Sequence, residues 1–146
     1  MGAWNVLYLR EDDHLSLLSS EFKRLNNGIA ALSEVQRPDI GEIMAGGYTY
    51  YWSGHSDGYH AQGVAVAVSN KLTPIIIEVT PVNKRIMRLR ICHSLGVISL
   101  VSGYAPTEAS DLTVKDAFHA TLESVVDQCS RQDTLRVGGF QCIDRN

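Results

Sequence analysis

A mixed α/β fold is what the sequence predicts, and three stretches predict it. Residues 3–9 (AWNVLYL) and 29–35 (IAALSEV) have strand composition and bracket a segment of helical periodicity. Such a strand, helix and strand make two parallel neighbours most easily. Val97, Ile98, Leu100 and Val101 put apolar side chains on both faces of one strand, as at the centre of a covered sheet. A second helical stripe then runs from Val114 to Cys129 and is followed by a short strand at 134–137.

The first strand begins almost at Met1. Asp12 or Asp13 can cap a helix that carries Leu15, Leu18, Phe22 and Leu25 at three- and four-residue spacing, and Asn27-Gly28 supplies a left-handed stop. The returning strand at 29–35 sets Asn5 and Glu34 on adjacent strands. Residues 41–63 are rich in glycine, tyrosine and polar side chains and read as short extended pieces joined by turns, loop-like as a whole. In 63–69 (GVAVAVS) valine alternates with alanine, which gives one bulky and one small face, a strand packed on both sides. A strand at 74–79 follows. In 85–92 (RIMRLRIC), Met87, Leu89 and Ile91 oppose Arg88 and Arg90, which share a face. Residues 93–96 are few enough to make a hairpin into the next strand, which then pairs antiparallel. That strand exits through Tyr104, Pro106, Thr107 and Glu108, where proline ends the ladder and polar groups reach the rim of a rigid scaffold. Ser110 or Asp111 caps the second helix, whose stripe is Val114, Phe118, Leu122, Val125 and Cys129 and which ends near Arg131.

At 146 residues, with 45% hydrophobic and 20% charged side chains, the chain has the size and composition of one domain. Its net charge of -3 argues against a broad basic surface, so any nucleic-acid contact rests on a local cluster such as Lys84, Arg85, Arg88 and Arg90. Cys92, Cys129 and Cys142 are odd in number and widely spaced, which disfavours a disulfide framework and a zinc site and suits a reducing, intracellular compartment. No run approaches about 18 apolar residues and no signal-peptide pattern opens the chain, so neither a membrane span nor secretion is expected. His55 and His60 lack a third ligand at a usual spacing, and Tyr48, Tyr50, Tyr51 and Trp52 read as strand aromatics packed under a loop. The nucleophile-elbow, P-loop and dinucleotide fingerprints do not occur.

Five stretches in this order, WNVLYL, ALSEV, GVAVAVS, SGYAPTE and VGGFQ, resemble the endonuclease/exonuclease/phosphatase superfamily. The resemblance is closest to the endonuclease domain of RTE-type non-LTR retrotransposons and to the craniofacial development protein 2 group. It covers nearly all of the chain and roughly the first 60% of a family domain of typical size. It implies a four-layer α/β sandwich, truncated here, that cuts DNA phosphodiesters with Mg²⁺ and acts in the nucleus. On this resemblance Asn5 lines the phosphate and metal site, Glu34 is the metal-binding glutamate, and the Tyr104 phenol approaches the scissile phosphate. Oxygen donors of this kind suit Mg²⁺, which often takes only one or two carboxylates beside water and phosphate.

The family's Gly-Asp-x-Asn motif falls on Gly138, Gly139, Phe140 and Gln141. A glycine replaces the aspartate that would orient or deprotonate the attacking water, and it cannot accept a proton. The family's later Ser-Asp-His segment has no counterpart before Asn146, and Leu7 and Tyr8 stand where retrotransposon relatives carry arginine and threonine. The expectation is a non-catalytic relative that keeps Asn5, Glu34 and Tyr104 and binds Mg²⁺ weakly. The alternative is a binding or interaction module with one apolar sheet face left open to a partner or a second copy.

Overall fold

Valine and alanine alternate along Val64–Ser69, and that alternation separates two cores. Ala65 and Ala67 face Leu15, Phe22, Leu32 and Tyr50, whereas Val64, Val66 and Val68 face Met87, Leu89, Ile91 and Leu100. The computed structural model describes residues 2–5, 12–24, 28–33, 39–54, 63–93, 96–106, 110–129 and 132–138. Of these, 2–5, 12–14, 33, 93, 134 and 136–138 are described by their backbone alone.

Five strands, β1 (Gly2–Asn5), β2 (Ile29–Ser33), β3 (Ile40–Ala45), β4 (Tyr48–Ser53) and β5 (Val64–Ser69), form one sheet in the order β1-β2-β5-β4-β3. A second sheet takes β6 (Ile76–Pro81), β7 (Ile86–His93), β8 (Gly96–Gly103) and β9 (Thr134–Gly138) in sequence order. The sheets pack face to face through the valines of β5. Helix α1 (Asp12–Arg24) lays Leu15 and Phe22 on the outer face of the first sheet. Helix α2 (Leu112–Gln128) lays Phe118 and Val125 on Ile86 and Val101 of the second. This is the four-layer α/β sandwich, and each large side chain it buries contributes about 1.5–3 kcal/mol.

The crossover through α1 makes β1 and β2 parallel, and the β7–β8 hairpin is antiparallel, both as the sequence predicts. Four expectations need correction. Residues 40–53, nearly all within the loop-like stretch 41–63, are a regular hairpin in which Gly46 (φ 60°) and Gly47 (φ 86°) make the two-residue turn between Ala45 and Tyr48. Such a turn needs positive φ at both centres, which glycine adopts without steric cost. Pro74 lies in a 3₁₀ turn, Thr73–Ile75, and the strand after it is shifted to Ile76–Pro81. Helix α2 ends at Gln128, Val114 on its expected apolar stripe is exposed, and Asp111 at the cap position makes no side-chain cap bond. The open apolar sheet face is not found among the described residues, because the inner faces of the two sheets cover one another.

Candidate functional site

Strand register gathers one edge of the sandwich. Across the first sheet Asn5 lies opposite Ser33, Ser33 opposite Val64, Val64 opposite Ser53 and Ser53 opposite Ile40. The matching row of the second sheet runs Pro81, Met87, Ser102 and Gly138. Ser53 Oγ donates a 2.6 Å hydrogen bond to the carbonyl of Asn83 in the β6–β7 turn, so both rows belong to the same edge. Strand β2 packs across from β8. The end of β2 and the exit of β8 therefore share this rim.

Tyr104 stands at that exit. It is 8% exposed and packs among Val64, Met87 and Leu100 between the sheets, a core tyrosine at the rim. Its N–H donates to the Arg85 carbonyl (2.8 Å), and its own carbonyl accepts from Arg85 Nη1 (3.2 Å). The guanidinium carbon lies 5.5 Å from the centroid of the Tyr104 ring, within cation–π range. Burial pulls the Arg85 pKa down, and the Tyr104 side chain works against that shift. Arg85 is placed by Asn83, whose Oδ1 accepts from the N–H groups of Arg85 (2.8 Å) and Ile86 (3.0 Å) to shape the corner into β7. Ser102 of β8, two residues before Tyr104, has a buried hydroxyl with no hydrogen-bond partner among the described residues.

Asn5 closes β1 opposite Ser33, the residue before Glu34; its backbone is described and its side chain is not. Glu34, Gly139 and Gln141 lie outside the described residues. In the sequence Arg85 groups with the basic cluster and not with Tyr104, and Ser53 and Asn83 carry no functional signal. The asparagine before a turn was the available signal for that corner. Arg88 and Arg90 are engaged elsewhere: Arg88 pairs with Glu78, and Arg90 holds Asp133 through Nε (2.7 Å) and Nη2 (3.1 Å). Ser99 also donates to Asp133 (2.8 Å), whose carboxylate is 3% exposed. The hydrogen bonds from Arg90 first, and then from Ser99, hold the Asp133 carboxyl below its usual range against the opposing effect of burial. Among the described residues no three His, Cys, Asp or Glu side chains converge to hold a metal ion, and no helix is long and apolar enough to cross a membrane.

No protein-family model matches the chain. Over 139 residues, 95% of its length, it is 24% identical to craniofacial development protein 2 of Bos taurus and, over the same share, 24% identical to that of Tragulus javanicus. The chain is a distant relative of craniofacial development protein 2. It spans about a quarter of the length of these proteins, 23% and 24%. The similarity covers 95% of the chain and therefore most of both sheets and both helices.

Proposed function

We propose that the chain is a phosphodiester-binding domain of the endonuclease/exonuclease/phosphatase type, derived from a retrotransposon DNA endonuclease, and that it does not hydrolyse what it binds. The observation that carries this reading is the shared rim: Asn5, the end of β2 that leads into Glu34, and Tyr104 at the exit of β8. The four-layer sandwich and the distant similarity to craniofacial development protein 2 support it. DNA is the partner in this reading, and the nucleus is where it acts.

Asn5 and Glu34 are the residues that would hold Mg²⁺, since an amide oxygen and a carboxylate are donors of the hard kind that this ion takes. When bound, the ion supplies Lewis-acid polarisation of a phosphate oxygen and offsets developing negative charge. Tyr104 orients the phosphate from the wall of the rim. What fails is proton removal. An attacking water needs an acceptor, and Gly139, in place of the family's aspartate, offers none. One such group contributes about 10² to 10⁴-fold to a rate.

The purified chain is therefore expected to leave supercoiled plasmid intact in Mg²⁺ while binding a fluorescent DNA duplex at low salt, with weaker binding by Glu34→Gln and Tyr104→Phe. Nicking that copurifies with the chain and disappears in Glu34→Ala would overturn the inactive half of the proposal. No binding at about 100 µM, the weak end of the non-specific range, would overturn the other half.

A further inference from the structure

A groove of about 720 Å³ lies beside the rim, and Tyr104 is not among its described lining residues. Its apolar walls are Ile40 of β3, Val82 after β6, and Val114, Ala117 and Phe118 of α2. Ile40 is 66% exposed, Val82 37% and Val114 41%, so apolar side chains are left uncovered around a concavity of the size that takes small ligands.

One wall carries an unusual charge. Arg85 is half-buried, and its guanidinium is held by a backbone carbonyl and the face of a ring. No carboxylate among the described residues pairs with it. A cation withdrawn from water is costly unless an anion meets it, and a guanidinium offers five N–H donors, of which the Tyr104 carbonyl engages one nitrogen. Lys84 and Asp39 also line the groove. A singly charged planar carboxylate matches the fork of the Arg85 guanidinium, whereas a dianion would place surplus charge near Asp39.

We propose that this groove binds a small amphiphilic carboxylate, its flat apolar body of one or two rings against Ile40, Val114 and Phe118 and its carboxylate on Arg85. The groove borders the rim through Ser53, Asn83 and Arg85, and its proposed ligand does not depend on phosphodiester binding there. The test titrates the full chain, followed by ¹H–¹⁵N NMR, with naphthalene-2-carboxylate and with its neutral carboxamide. Saturable shifts are expected at the amides of Gly54, Arg85, Ala117 and Thr121. The carboxylate should bind about tenfold or more tightly than the carboxamide, as a charge-assisted hydrogen bond allows. Arg85→Met should abolish that ratio and keep the weaker binding. Ala117→Trp, at an exposed helix position, should block both ligands with an unchanged melting temperature. Equal affinities for the two ligands, shifts absent from these amides, or full binding by Ala117→Trp would each overturn the proposal. Were Arg85→Met not to fold, the ratio in the native chain and the Ala117→Trp result decide.

Discussion

Tyr50 shows how a residue can be placed by its spacing and still be misjudged in its role. Its hydroxyl donates to the Leu15 carbonyl (3.0 Å) and lies 2.7 Å from Ser19 Oγ, which is itself 2.8 Å from the carbonyls of Leu15 and Ala45. This network ties α1 to the β3–β4 hairpin. Leu15 and Phe22 were legible as the buried stripe of α1. Ser19, on the same stripe, was not, because its use depends on a tyrosine 31 residues away. Burial pushes the Tyr50 phenol up to about 12, although the bond with Ser19 acts the other way. The unfolded chain releases this proton near its ordinary value of 10.0, and the folded chain keeps it to about 12. The stabilisation is therefore complete below pH 10 and is lost as pH rises towards 12. Urea unfolding across that interval should show falling stability in the native chain and a flatter profile in Tyr50→Phe. Equal slopes would remove the assignment.

Among the elements, the β3–β4 hairpin was the one most poorly read. Tyr48 to Trp52 does not alternate polar with apolar, because Tyr48, Thr49 and Tyr50 are all buried while Tyr51 and Trp52 are only half-covered. The Gly46-Gly47 pair between two extended runs was the signal that could have found it. At Gly46 a Cβ would meet the Cβ of Ser19 at 2.6 Å as well as the left-handed backbone. Gly46→Ala should cost more than the roughly 1–2 kcal/mol of the backbone term alone. Gly96→Ala, with positive φ and open space around it, supplies the control, and equal losses in thermal stability would show that contact with α1 contributes nothing.

The other sheet has its own tie, in Arg90 of β7, Ser99 of β8 and Asp133 just before β9. With the Asp133 carboxyl held below its ordinary value, the stabilisation is present above the unfolded value and lost as pH falls through the folded one. Asp133→Asn should lower stability at neutral pH and flatten its decline below about pH 4, as acid titration of unfolding would register. An unchanged acid profile would mean that the pair is screened by solvent.

For the molecule as a whole, the layers were legible from two crossovers and one two-sided strand. The β3–β4 hairpin of the first sheet and the shift of β6 to Ile76–Pro81 were not, since neither follows from apolar periodicity alone. The candidate site was legible in the same uneven way. Tyr104 follows a strand whose exit Pro106 marks in the sequence, whereas Asn5 lies inside the strand read over 3–9 and only the structure sets it at the end of β1. Arg85 lies beside Tyr104 because the β7–β8 register that sets Ile86 opposite Gly103 carries one residue further, a pairing that the hairpin spacing encodes although the contact of guanidinium with ring does not follow from it.

Strand β5 is hydrogen-bonded to β2 on one side and β4 on the other, and it is covered above by α1 and below by β7 and β8. An amide in its middle meets solvent only when both cores part. Hydrogen exchange at residues 64–68 should therefore run at the free energy of complete unfolding measured with urea, while amides of the outer strands β3 and β6 exchange through cheaper partial openings. Exchange in β5 several kcal/mol below the urea value would instead mean that the two halves come apart independently. With a single cooperative unit, these few amides act as a reporter for the whole chain, so that a ligand at either the rim or the groove should slow them by the same factor as it stabilises the fold.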